Sequence, residues 1–173
     1  MLRFLLIALA LLVSTVASPV RAEVIATFWS HERDQNYPHA FIVLRGRLET
    51  GEVIDTNIGF TARRITPGIL LGSVEGMMET VSAEYMARPT SRPHFALRLD
   101  DAGYARLMAF VARWRAQAQP SYNLRRRNCV HFVMEGAALF GLAVNRDSRH
   151  FRNPRAFLDE VMRLNPRLTQ ATR

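Results

Sequence analysis

The chain has 173 residues, 49 % of them hydrophobic, with one cysteine and a formal charge of +8. That is one domain's worth of sequence, long enough for a real core. A single cysteine excludes an internal disulfide, and five histidines with no ligand spacing to cysteine or paired carboxylates predict no metal site and no cofactor.

The first stretch reads as an address. Met1-Leu2-Arg3 is followed by an apolar run from Phe4 to Val13, then by small and polar residues, then by Val20-Arg21-Ala22. A basic start, a short apolar core and a small-residue cleavage site predict a signal peptide over 1–22. The run is too short to span a bilayer comfortably. The expected mature chain, 23–173, is a single domain, periplasmic or secreted, and Arg3 and Arg21 leave with the signal. All 23 basic residues are arginine. A basic exported protein suits an anionic envelope surface, whether polymer or lipid headgroup. Nucleic acid is a poor partner for it, so Arg125-Arg126-Arg127 reads as a solvated loop.

Val24 to Trp29 predicts a first strand, and His31 to Tyr37 a loop. Pro38 to Gly46 and Glu52 to Phe60 predict two strands joined through the turn Glu49-Thr50-Gly51. With Thr50 at the loop centre, Val43 faces Asn57 and Phe41 faces Gly59. His39 and Asn57 then share one side of the hairpin. Ile69 to Val81 has no clean period and reads as a long ordered loop or a short helix. Ser82 to Ala87 reads as a strand, Arg88 to Pro93 as a connector and His94 to Leu99 as a further strand. Leu107, Phe110, Val111 and Trp114 recur at helical spacing after an Asp100 or Asp101 cap, and a last helix runs from Pro154 to about Leu164. Strands followed by segregated helices predict an α+β fold.

The remaining helix begins at the cysteine. In Arg127-Asn128-Cys129-Val130-His131-Phe132-Val133, Asn128 is a good N-cap and an apolar run follows to Leu142. Cys129 is thereby placed at a helix N-terminus, where open N–H groups and the macrodipole favour a thiolate, the attacking form of the group. The alternative is a small buried thiol with no chemistry. His39, at the start of a strand, supplies a base. Asn57 or Asp55 supplies a group to fix the ring's tautomer. His31, His94 and His150 read as ordinary core or surface histidines.

The segment RNCVHFV, Arg127 to Val133, closely resembles the asparagine–cysteine–x–histidine–phenylalanine motif of the lecithin:retinol acyltransferase family. It also resembles the related, circularly permuted NlpC-type papain-like hydrolases. PHAFIVLRG (Pro38 to Gly46) is similar to that group's histidine strand and EVIDTNIGF (Glu52 to Phe60) to the strand after it; the resemblance spans roughly His39 to Leu142. It implies a permuted papain-like domain whose antiparallel sheet packs against the cysteine helix. It also implies Cys129 as nucleophile and His39 as general base. The third position stays open: strand matching favours Asp55, the hairpin register Asn57. Tyr122 is assigned to the oxyanion beside the Cys129 N–H, and Asn128 and His131 to support of the helix start. The expected activity is an exported thiol hydrolase, an amidase or endopeptidase acting on peptidoglycan peptides. The alternatives are a thioester-forming acyltransferase or lipid hydrolase, and a non-catalytic papain-like binding domain.

Overall fold

A computed structural model describes residues 22–171. The expected signal peptide lies outside them but for Ala22. Five strands form one antiparallel sheet: β1 Glu23–His31, β2 His39–Arg47, β3 Val53–Ala62, β4 Gly76–Glu79 and β5 Ser91–Leu99, in the order β4-β3-β2-β1-β5. Four helices accompany it: α1 Ala83–Ala87, α2 Asp101–Arg115, α3 Cys129–Leu139 and α4 Pro154–Leu164. The α+β class follows directly. So does the packing of the cysteine-bearing helix on an antiparallel sheet.

The expected hairpin register is the observed one: Val43 pairs with Asn57 and Phe41 with Gly59. Gly51, at φ +89°, closes the connection in a conformation that glycine adopts without steric cost. The central strands β1 and β2 bury both faces. Ala26, Phe28, Ala40, Ile42 and Leu44 point to α2, α3 and α4 and form the main core with Phe110, Phe132, Phe157 and Leu158. Phe28 stacks on Phe95 at 4.5 Å and Phe110 on Phe132 at 5.2 Å. Gly136 allows α3 to sit close: a Cβ there would stand 3.2 Å from Ile42 Cδ1. The opposite face carries a smaller cluster, Trp29, Phe41 and Val43, covered by Val81, Tyr85 and Met86.

Three local expectations need correction. Within Ile69–Val81 the chain forms a strand, β4, on the outer edge of β3, after a 3-10 turn over Pro67–Leu70. Ser82–Ala87 is a short helix and no strand, because Ser82 Oγ accepts from the Tyr85 N–H and caps it. Arg127 departs from the solvated loop, its guanidinium lying 3.9 Å from the Trp114 ring centroid, while Arg125 and Arg126 are exposed. The N-caps of α2 and α4 behave as their residue types dictate. Asp100 accepts from Gly103 N–H at 2.7 Å and Asn153 from Ala156 N–H at 3.1 Å.

Candidate active site

The start of α3 is built by Asn128. Its Oδ1 accepts from the N–H groups of Val130 (2.9 Å) and His131 (3.2 Å), while its Nδ2 donates to the carbonyls of Leu124 (2.8 Å) and Phe151 (2.7 Å). One buried amide thus caps the helix and ties its first turn to the loops on either side. His131 Nδ1 accepts from the Asn128 N–H at 3.3 Å, completing a capping box, and its ring stacks on Phe151 at 4.2 Å. Desolvation, with Arg127 second, holds the His131 pKa down at about 4. A neutral ring fixed in this way supports the helix start.

Cys129 is the first residue of the helix, and only 7 % of its surface is exposed. Backbone N–H groups of Ala40 and Val130 lie against Sγ and favour its charged form, but burial outweighs them. The thiol is pushed up to about 11, with Glu79 adding to the shift. The expectation of a ready thiolate therefore fails for the resting protein. A helix N-terminus lowers a thiol pKa where water still reaches it; here desolvation of the anion is the larger effect.

His39 is buried at the start of β2, next in sequence to the Ala40 that touches Sγ. Its side chain shares a face with Phe41, whose ring it meets at 5.8 Å, whereas α3 packs on the other face through Ala40 and Ile42. Histidine and thiol thus come from opposite faces of the sheet and line one cavity at the end of β2 and β3. Desolvation, with His31 second, lowers the His39 pKa to about 4, so the ring is neutral throughout the neutral range.

Neither expected orienting residue engages this ring. Asp55 lies on the exposed stretch of the hairpin beside Arg45, at 3.3 Å. Asn57 spends its amide on Val81, accepting from its N–H at 2.7 Å and donating to its carbonyl at 3.0 Å. The group at His39 is Glu79, whose Oε1 stands 3.1 Å from Nε2. The approach is too oblique for a hydrogen bond, and Nε2 has no other partner. Glu79 is itself raised by desolvation, against a bond from Thr61. Burial therefore works against charge on both groups, and the contact is a weakly polar one and no strong ion pair.

Gly59 makes this contact possible. It pairs with Phe41 on one side and Glu79 on the other, and a Cβ there would fall 2.5 Å from His39 Nε2. The sequence signal for Glu79 was its place in a strand, and that strand is short and free of β-branched residues: Gly76-Met77-Met78-Glu79.

The cavity holds about 280 Å³ and is walled by His39, Cys129, Tyr122, Ile69, Leu124 and Phe151, among others. Tyr122 is buried and packs against Phe60 at 5.7 Å. Its hydroxyl pKa is raised by desolvation and then by Cys129 and Glu79. It stays protonated and able to donate at any neutral pH. His31 and His94 are fully buried away from this cavity: His31 contacts Ser91 (2.7 Å) and Asp34 (3.1 Å), and His94 contacts Ser30 (2.8 Å) and Asp159 (2.9 Å). His150 is half-buried near the end of the chain. Among the described residues, no group of three or more histidine, cysteine, aspartate or glutamate side chains is arranged to hold a metal ion. No family model, curated protein or solved structure matches the chain.

Proposed function

We propose that the protein is an exported, permuted papain-like thiol hydrolase that works through an acyl-thioester on Cys129. The observation that carries this reading is one cavity lined by a helix-start cysteine, a neutral buried histidine and a protonated tyrosine, with the Glu79 carboxylate 3.1 Å from the histidine's Nε2. Since the resting pair is neutral, attack is base-assisted. His39 takes the thiol proton as the Sγ–carbon bond forms. The same proton goes to the leaving amine or alkoxide as the carbon–heteroatom bond breaks. Water then cleaves the thioester and regenerates the thiol. The Cys129 N–H and the Tyr122 hydroxyl are the candidate donors to the oxyanion.

Peptidoglycan peptides are one candidate donor, suggested by the export signal and the motif resemblance. The walls Ile65, Ile69, Leu70, Leu124 and Phe151 favour a donor with an apolar acyl group, which is the lipid hydrolase or acyltransferase form of the same chemistry. Incubation with a muropeptide in one arm and a phospholipid in the other, followed by intact mass measurement, decides. A mass gain on wild type that is lost in Cys129→Ser supports the reading and names the donor.

The burial of Cys129 and its raised pKa favour a second reading, a non-catalytic papain-like binding domain. In that case neither donor acylates the thiol, while one of them still binds and protects the fold against heat.

A further inference from the structure

Exposed apolar side chains are not spread evenly over this molecule. Among the described residues, four of the six exposed large hydrophobics, Tyr37, Ile65, Leu70 and Leu71, lie around the mouth of the Cys129 cavity or of the cavity beside it. Leu71 is 91 % exposed and Leu70 67 %. They form the tip of the 3-10 turn, where no neighbour covers them and the fold draws nothing from them. Apolar residues left outside at this density mark an interaction surface.

The charged residues that line the two cavities have one sign. The adjoining cavity, about 540 Å³, is lined by Arg125, Arg126 and Arg152 as well as by Ile69 to Leu71. Arg33 and Arg152 line the Cys129 cavity, and no carboxylate lines either. Arg125 and Arg126 have exposed side chains, and their backbone N–H groups donate to Asn123 Oδ1 at 3.0 and 3.2 Å. An apolar tip inside a ring of guanidinium groups matches a surface with negative charge outside and hydrocarbon beneath. A purely anionic polymer would use the arginines and leave Leu71 in water. A protein partner would need no such separation of charge from hydrocarbon.

We propose that this face docks on an anionic phospholipid bilayer. Leu70 and Leu71 enter the boundary of the acyl chains, and Arg125, Arg126 and Arg152 bind headgroup phosphates. The cavity mouth then opens onto the membrane. Among the described residues no helix is long and apolar enough to cross a membrane. The docking does not depend on Cys129 being a nucleophile.

The test is flotation with vesicles, using protein exported and processed from the full chain, its new N-terminus sequenced. One vesicle set is phosphatidylcholine alone; in the other a third of the lipid is phosphatidylglycerol. Binding should appear with the anionic set and weaken with salt. The double variant Leu70→Asp/Leu71→Asp should bind at least tenfold more weakly. Arg125→Glu/Arg126→Glu should lose roughly fivefold per arginine and the preference for anionic lipid. Val53→Asp, at another exposed apolar site at the far end of the hairpin, should bind like wild type, and so should Cys129→Ser. All these positions are on the surface except Cys129, and unchanged melting temperatures verify that the surface variants fold. Absence of binding to anionic vesicles overturns the proposal. Full binding by the leucine variant, which would mean charge alone, also overturns it. So does a dimer in sedimentation that the leucine variant abolishes, which would assign the tip to a second copy.

Discussion

Gly59 and Glu79 change the chemistry expected at His39 more than any residue singled out from the motif. The glycine leaves the space into which the imidazole turns, and the glutamate borders that space from the edge strand. Gly59→Ala should displace the ring, because its Cβ would overlap Nε2. The expected result is a loss of about 1–3 kcal/mol in stability, with little thioester formed even where the protein still folds. Denaturant titration and intact mass measure the two effects separately. On the proposed function, Glu79→Gln should retain much of the acylation rate and Glu79→Ala should lose most of it, while Asp55→Ala should leave it unchanged. If Asp55→Ala and Glu79→Ala act alike, the carboxylate at Nε2 has no positioning role. Iodoacetamide should label resting Cys129 slowly at neutral pH and faster toward pH 11, the order of its raised pKa. A midpoint below the ordinary cysteine value of about 8.5 would mean that helix-end electrostatics outweigh burial after all.

At the scale of elements, the pattern of legibility has a physical cause. The β2–β3 hairpin could be read to the residue because a single turn, Glu49-Thr50-Gly51, sets its register, and period-two alternation then dictates every facing pair. The helices α2 and α3 could be read because their caps, Asp100 and Asn128, are short polar residues ahead of apolar runs, and α4 because Pro154 suits a first turn. β4 could not. Its Gly-Met-Met-Glu has weak strand propensity, and its conformation comes from pairing with β3, a tertiary effect. The missing strand hid Glu79. It also left Asp55 and Asn57 as the only polar candidates on the histidine's hairpin. The thiol's environment is less legible for a related reason: the helix start is evident in the sequence, but how deeply the loops bury it is not.

The loops around the start of α3 are joined by Asn128, and its substitution separates two roles. Asn128→Ala removes two accepted and two donated hydrogen bonds and should cost about 2 kcal/mol or more. Asn128→Asp keeps the cap and loses the donors to Leu124 and Phe151. An aspartate is as good an N-cap as asparagine, so a simple cap would tolerate the change. Here Asn128→Asp should also destabilise, because a buried carboxylate would face two carbonyl oxygens. Equilibrium denaturation of the two variants decides; wild-type stability in Asn128→Asp would reduce Asn128 to a cap.

At the scale of the whole molecule, the buried histidines couple the fold to pH. His39, His94 and His131 are each lowered to about 4, with desolvation as the first cause in every case. In the unfolded chain such groups protonate near 6.5, so between about 6.5 and 4 the unfolded state binds more protons than the native one. Native stability must therefore fall as pH falls through that window. For His39 the loss from pH 7 to pH 5 is about 2 kcal/mol at most, and the other two act in the same direction. Glu79 opposes them: its raised pKa means the native state takes up its proton first, which stabilises the fold on acidification. Asp34 and Glu160 are lowered, so their contributions are lost only below the ordinary carboxylate range. The sum is a protein that weakens between pH 7 and pH 5, before its paired carboxylates titrate. His39→Gln replaces the titrating ring with a neutral amide and should flatten the slope in that interval, whatever it does to stability at pH 7. Urea midpoints measured across the interval for both proteins check this. Equal slopes would mean that His39 takes up its proton in the native state as readily as in the unfolded chain, so that burial does not hold the ring neutral through that interval.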